Sequence, residues 1–330
     1  MARCCSFTAS RDWCFRYSFS RTGLKSTTVN LHDGATVIHI WIPKSYKPNK
    51  PSLLLIHGFG ANAMWQYNDF VSPLVSKFNV YIPDLLFFGD SYTTRPDRTE
   101  QFQAECVMAA LEDVGVVGKI HVMGLSYGGF VGYCMAVQYP EKVDKVVIAA
   151  SGVCFDESDM ETGLLSVKNI EDAISILLAQ TPEKLRELMQ MAFFKPPQNV
   201  PSCFLSDFID VMNTEHVQEK RELIETLHKG RKVSNLPKIT QPTLIIWGEH
   251  DQIFPLELGH RLKRYASNIK FARFINVMSE RLTFVLLFLI IRHLGENAEL
   301  VIIKNSGHAI NAEKPKELYK NMKSFLTDHK

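Results

Sequence analysis

The residues best suited to chemistry are a serine, a histidine and an aspartate that stand far apart in the chain. Ser126 lies at the centre of Gly124-Leu125-Ser126-Tyr127-Gly128. The β-rich run Ile120 to Met123 precedes it directly and a helical pattern follows from Gly129, so the serine falls on a sharp strand-to-helix turn. Such a turn lifts the hydroxyl clear of the sheet and aims backbone N–H groups at an oxygen that gains negative charge during acyl transfer. Glycines two residues to either side leave room for strand and helix to cross. A serine hydroxyl is a poor nucleophile at neutral pH and needs a general base whose tautomer is fixed by an acid. His308, in Asn305-Ser306-Gly307-His308, follows the strand pattern Leu300 to Ile303, and Asp251, in Gly248-Glu249-His250-Asp251, follows the strand pattern Leu244 to Trp247. Both stand at carboxyl ends of strands, where open α/β sheets bind ligands. Ser126, Asp251 and His308 are therefore read as nucleophile, acid and base, in the chain order that such an elbow requires. Glu249 and Asp156 are the alternative acids, and His250 and His293 the alternative bases.

A second group of candidates is backbone. His57-Gly58-Phe59-Gly60 follows the apolar strand Leu53 to Ile56 and precedes a helical pattern. Here the N–H of Phe59 can complete an oxyanion hole with that of Tyr127. The His57 side chain reads as a structural imidazole bracing the loop rather than as a base.

These groups need a sheet to hold them. Strand-like runs at Thr36 to Ile42, Leu53 to Ile56, Val80 to Ile82, Ile120 to Met123, Val146 to Ala149, Leu244 to Trp247 and Leu300 to Ile303 alternate with helical patterns at Gln101 to Val114, Phe130 to Gln138 and Pro315 to Leu326. That alternation predicts an α/β fold, a mostly parallel sheet covered by helices on both faces. Residues 26–152 and 238–330 form its two parts. Residues 153–237 break the alternation and read as an inserted helical lid, with Ile170, Ile174, Leu177 and Leu178 at helical spacing and Thr181-Pro182-Glu183 as a helix start. Met189, Met191, Phe193, Phe194, Phe204, Phe208 and Met212 are candidate walls of a substrate pocket, the alternative being plain lid core.

Composition sets the outer bounds. The 330 residues, 46% of them hydrophobic, are enough for a large core. Lys plus Arg is 37 against 35 for Asp plus Glu, a net charge of +2 that makes no case for nucleic acid. The 7 cysteines contain no CxxC pair and no zinc-like spacing, which points to a reducing compartment and no structural metal, and chemistry on Ser126 needs no cofactor. Residues 1–25 read as an N-terminal extension without catalytic role. Its Arg3, Arg11, Arg16 and Arg21 weakly fit an organellar transit signal, while Phe7, Trp13, Phe15 and Phe19 suit packing on the fold or on a bilayer surface. A cytoplasmic location follows, with organelle and membrane periphery as alternatives; no motif encodes an oligomeric state.

With these residues in place, the chain from about Ser52 onward resembles the α/β-hydrolase family. His57 to Gly60, the loop Asp84 to Ser91, the serine elbow, Trp247 to Asp251 and Gly307-His308 each match a family motif. The wording of His57 to Gln66 is similar to a plant branch near monoacylglycerol lipases and hydrolases of ring-cleavage products. The resemblance implies Ser126 as nucleophile, Asp251 and His308 as its partners, Phe59 and Tyr127 as oxyanion donors, and a small ester or acyl substrate. Cleavage of a carboxylic ester is the favoured activity. C–C bond hydrolysis and small-molecule reception on the same fold are the alternatives.

Residues 265–292 depart from the pattern. After Asp251 one helix should lead to the last strand, yet the chain runs on through the apolar stretch Phe284 to Ile291, too short to span a bilayer, which takes ~20 residues. Joining Arg264 to His293-Leu294-Gly295 restores a helix with a glycine at its end. The segment therefore reads as a translated retained intron, or else a lineage-specific insertion.

Overall fold

The computed structural model describes residues 6–31, 34–267 and 297–328. Its strands, β1 (Leu24–Leu31), β2 (Thr36–Pro43), β3 (Ser52–Ile56), β4 (Asn79–Pro83), β5 (Tyr92–Thr93), β6 (Ile120–Leu125), β7 (Val143–Ala149), β8 (Thr243–Gly248) and β9 (Ala298–Ile303), form one sheet. Their order is β1-β2-β4-β3-β6-β7-β8-β9, with β5 beside β2. From β4 to β9 neighbours run parallel, whereas β1, β2, β4 and β5 pair antiparallel.

The central strands are apolar on both faces, as burial under two helical layers requires. Leu54, Ile56, Val122 and Ile245 face one core, and Leu53, Leu55, Met123 and Ile246 the other, with the period of two that a pleated strand imposes. Phe102, Phe130 and Leu262, from α3 (Glu100–Asp113), α4 (Tyr127–Gln138) and α10 (Leu256–Ser267), fill the first core. Phe19, Tyr67 and Leu318 belong to the second and come from α1 (Phe7–Arg21), α2 (Ala63–Val75) and α12 (Pro315–Thr327), the last preceded by the short α11 (Ile310–Glu313).

Between β7 and β8 stand five described helices, α5 (Ser158–Glu161), α6 (Ile170–Leu177), α7 (Pro182–Ala192), α8 (Ser202–Met212) and α9 (Val217–His228). Thr181 caps α7 by accepting the Lys184 N–H, with Pro182 in the first turn. Small cores of their own, Leu185 with Leu205 and Ile209, and Ile174 with Ile224, hold these helices together above the sheet.

The N-terminal region supplies two elements of the fold, and Phe15 and Phe19 pack on the core, one of the two placements expected of them. Strand β1 continues the sheet as an antiparallel edge, and α1 packs against α2 and α8. Thr8 donates its N–H to the buried Asp207 carboxylate on α8 at 2.8 Å. At the departure from the pattern after Asp251, α10 runs through Tyr265 and the buried Ala266 to Ser267. The remainder of the atypical segment and the alternative base His293 lie outside the described residues.

Candidate active site

Ser126 ends β6 and caps α4 with φ 52° and ψ −121°, a left-handed conformation that side-chain-bearing residues rarely adopt. The turn is held by Ser126 N–H on Ala149 O and Gly129 N–H on Ser126 O, both 2.9 Å. Side chains on the flanking glycines have no space: a Cβ on Gly124 would lie 2.2 Å from Gly128 O, and one on Gly128 would lie 2.1 Å from Ile56 O.

The parallel register of β6, β7, β8 and β9 sets their four carboxyl ends in one row, and the loops beyond β8 and β9 bring Asp251 and His308 to Ser126. His308 Nε2 is 2.9 Å from Ser126 Oγ, and His308 Nδ1 is 2.9 Å from Asp251 Oδ2. Asp251 Oδ1 accepts the N–H groups of Ile253 and Phe254, each at 2.9 Å, so the carboxylate is fixed at one oxygen and faces histidine with the other. The carboxylate only accepts, so a neutral His308 carries its hydrogen on Nδ1 and presents a lone pair to the serine. The Phe254 ring packs 5.7 Å from that of His308. Glu313 Oε2 receives the Gly307 N–H at 2.7 Å and Glu313 Oε1 the Lys195 N–H at 3.1 Å, which ties the histidine loop to the segment between α7 and α8.

The loop after β3 runs against the serine, since a Cβ on Gly58 would come 2.7 Å from Ser126 Cβ. Phe59 and Tyr127 pack their rings edge to face at 5.0 Å. Tyr127 is the first residue of α4, where backbone N–H groups have no partner inside the helix. His57 is fully buried, accepts the Leu85 N–H on Nε2 at 2.9 Å and donates Nδ1–H to Gly58 O at 2.8 Å. Burial pushes its imidazole down, with Lys220 acting the same way, against the pull of Asp84 and the Gly58 bond. Both ring nitrogens are thus engaged in bracing the loop. Beneath it, burial raises the Asp84 carboxyl, but His39, His57 and the Ala63 N–H outweigh it and hold the group below its usual range.

A cavity of about 400 Å³ opens over the serine, lined by Ser126, His308, Phe59, Gln66 and Asn311 and otherwise almost wholly by apolar side chains. Of the expected wall residues, Met189, Phe193, Phe204 and Phe208 line it. Met191 lines a smaller neighbouring cavity, Phe194 stacks on His250 at 4.4 Å, and Met212 lends its carbonyl to Lys220. Phe7 and Thr8 add a wall from α1, so the N-terminal segment reaches the site. The alternative acids sit elsewhere: Glu249 receives the Asn305 N–H and Asp156 those of Ser158 and Val233. Asn311 and Glu313 had no signal in spacing or motif, and Gln66 closed the His57 to Gln66 wording without a role of its own, because their partners are brought close only by folding.

Comparison with known proteins agrees with this architecture. A family model described as alpha/beta hydrolase fold matches residues 51–277. Mouse monoacylglycerol lipase ABHD6 is 24% identical over 310 residues, spanning 84% of this chain and 76% of its own. A 2-hydroxy-6-oxononadienedioate/2-hydroxy-6-oxononatrienedioate hydrolase from Pseudomonas is 26% identical over 218 residues, 64% of this chain and 75% of its own. A candidate lipase from Acinetobacter baumannii superposes with a TM-score of 0.74 at 23% identity, covering 96% of this chain and 95% of its own.

Proposed function

Because the chain belongs to the α/β-hydrolase fold family, we propose that it is a serine hydrolase of carboxylic esters with an apolar acyl chain, monoacylglycerol-like in character. The observation that carries this reading is the unbroken line Asp251, His308, Ser126 at the floor of an apolar cavity. In the proposed cycle Ser126 Oγ attacks the ester carbonyl while His308 Nε2 takes its proton, and Asp251 stabilises the imidazolium that results. The N–H groups of Phe59 and Tyr127 receive the oxyanion. His308 then protonates the leaving alcohol, an acyl-enzyme remains on Ser126, and a water activated by His308 releases the acid.

The choice between ester and C–C cleavage rests on the walls. The Pseudomonas relative is named for a dioate, whose two carboxylates would need cationic or strongly polar partners once desolvated. Apart from His308 no ionisable side chain is among the described lining residues, which supports a neutral chain ending in one ester. The similarity to ABHD6 supports the same substrate class. Delivery of the ester from a lipid phase is supported by Phe7 and Phe204, both half exposed, which line the cavity and meet edge to face at 5.5 Å.

A series of 4-nitrophenyl esters and monoacylglycerols of increasing chain length tests this. Multiple turnovers are expected with a preference for medium or long chains, and Ser126→Ala should lower kcat by ~10⁴ or more. Activity surviving in Ser126→Ala would overturn the mechanism, and a single turnover followed by arrest would favour a ligand receptor.

A further inference from the structure

We infer that the side-chain amide of Gln66 is a positioning residue for the oxyanion hole, acting through the loop that carries the Phe59 N–H. The inference rests on the reading of the site given above. The loop between β3 and α2 has no ladder or helix of its own to fix it, and Gly60 within it has φ 97°. Besides the His57 Nδ1 bond to Gly58 O, its backbone polar groups converge on one side chain. Gln66 Oε1 accepts the Gly58 N–H at 2.8 Å, and Gln66 Nε2 donates toward Gly58 O at 2.9 Å, Phe59 O at 3.1 Å and Ala61 O at 3.4 Å. One N–H on one end and three carbonyls on the other leave the amide a single orientation.

Gln66 lies on α2, and its own carbonyl accepts Asn311 Nδ2 at 3.0 Å, three residues beyond His308. One residue therefore bridges the oxyanion loop and the histidine loop, and its side chain lines the same cavity as Ser126. An oxyanion donor acts by being aimed in advance at where charge develops, so a loop free to move by a fraction of an ångström weakens the transition state more than the bound ester. Loss of the Gln66 amide should consequently appear in kcat.

The test uses the full chain with 4-nitrophenyl butyrate, an alkyl trifluoromethyl ketone that forms a tetrahedral oxyanion on Ser126, and an unreactive ether of the same shape. Gln66→Met keeps the volume and removes the amide. Gln66→Glu keeps the acceptor for Gly58 N–H but turns lone pairs toward three carbonyls, and it carries the same measurement if the methionine variant does not fold. Each is expected to lower kcat ~30-fold, short of the ~10²–10³ of a deleted donor. KM should stay within ~3-fold, and affinity for the ketone should fall in parallel with kcat/KM. Affinity for the ether should not change. Values of kcat and ketone affinity within ~3-fold of wild type in both variants would overturn the inference. An equal loss of ether binding would do the same, because it would mean general damage to the cavity. A wild type that binds the ketone through Ser126 without turning over the ester would overturn the esterase reading alone, since the ketone affinities of the variants still measure the positioning.

Discussion

Asp251 divides its two oxygens between separate tasks, and that division makes a sharp prediction. Oδ1 holds the N–H groups of Ile253 and Phe254, while Oδ2 faces His308 Nδ1. In Asp251→Asn the amide oxygen can keep the two backbone bonds, so the fold should survive with its melting temperature nearly unchanged. The NH₂ group now faces Nδ1, which must accept, and the ring carries its hydrogen on Nε2, where it cannot take the serine proton. The expected result is a fall in kcat of ~10⁴ with the fold intact. A loss under ~10-fold would mean that another acid orients His308.

At the scale of elements, the helical segment between β7 and β8 buries a charge against the first core. Lys220 on α9 is 5% exposed, reaches Met212 O at the end of α8 at 3.3 Å, and lies over the Phe88 ring at 5.1 Å. Burial pushes its ammonium down to about 8, against the charges of Glu215 and Glu219. Since the folded value lies below the ordinary 10.5, the unfolded chain binds more protons between about 8 and 10.5, and stability from this group rises with pH through that window. The rise is on the order of 3 kcal/mol at ~1.4 kcal/mol per unit. Replacing Lys220 by methionine should remove it, so that denaturation measured from pH 7 to 11 shows the variant's advantage at neutral pH shrinking above pH 8. Parallel stability curves for the two proteins would refute this.

For the whole molecule, the distribution of exposed apolar groups matters more than their number. Phe7, Trp13 and Tyr17 on α1 and Phe204 and Val211 on α8 are exposed, and the two helices pack together at the cavity mouth. Arg21 lies over the Tyr17 ring at 5.7 Å, and Arg11 is exposed on the same helix. Aromatic rings interleaved with arginine suit the headgroup layer of a bilayer, and no described helix is long and apolar enough to cross one. The protein should therefore sediment with vesicles containing anionic lipid, and Trp13→Ser with Tyr17→Ser should weaken that binding ~10-fold or more while hydrolysis of a dispersed short ester stays unchanged. Equal vesicle binding by the double variant would exclude this face as the contact.

Much of this molecule was legible in the order of its residues. The alternation of short apolar runs with helical patterns is local, fixed by the periods of strand and helix, and it located the central strands and the helical stretch between β7 and β8. Gly124 likewise has a local cause, because strand and helix cross within five residues of sequence, whereas Gly128 makes room for the carbonyl of Ile56 on β3. Strand β1 and the packing of α1 were not legible. An edge strand with one exposed face lacks the continuous apolar run of a central one, and α1 has no apolar stripe to say which surface it will cover. Tertiary structure alone decided that Thr8 meets Asp207, that Phe7 joins the cavity wall, and that Gln66 clamps the loop beside Ser126. Sequence determined which residues can do chemistry and on which strand ends they stand, since those follow from side-chain type and local period. Which neighbours hold them in place depends on contacts between segments up to 245 residues apart, and only the folded chain makes those contacts.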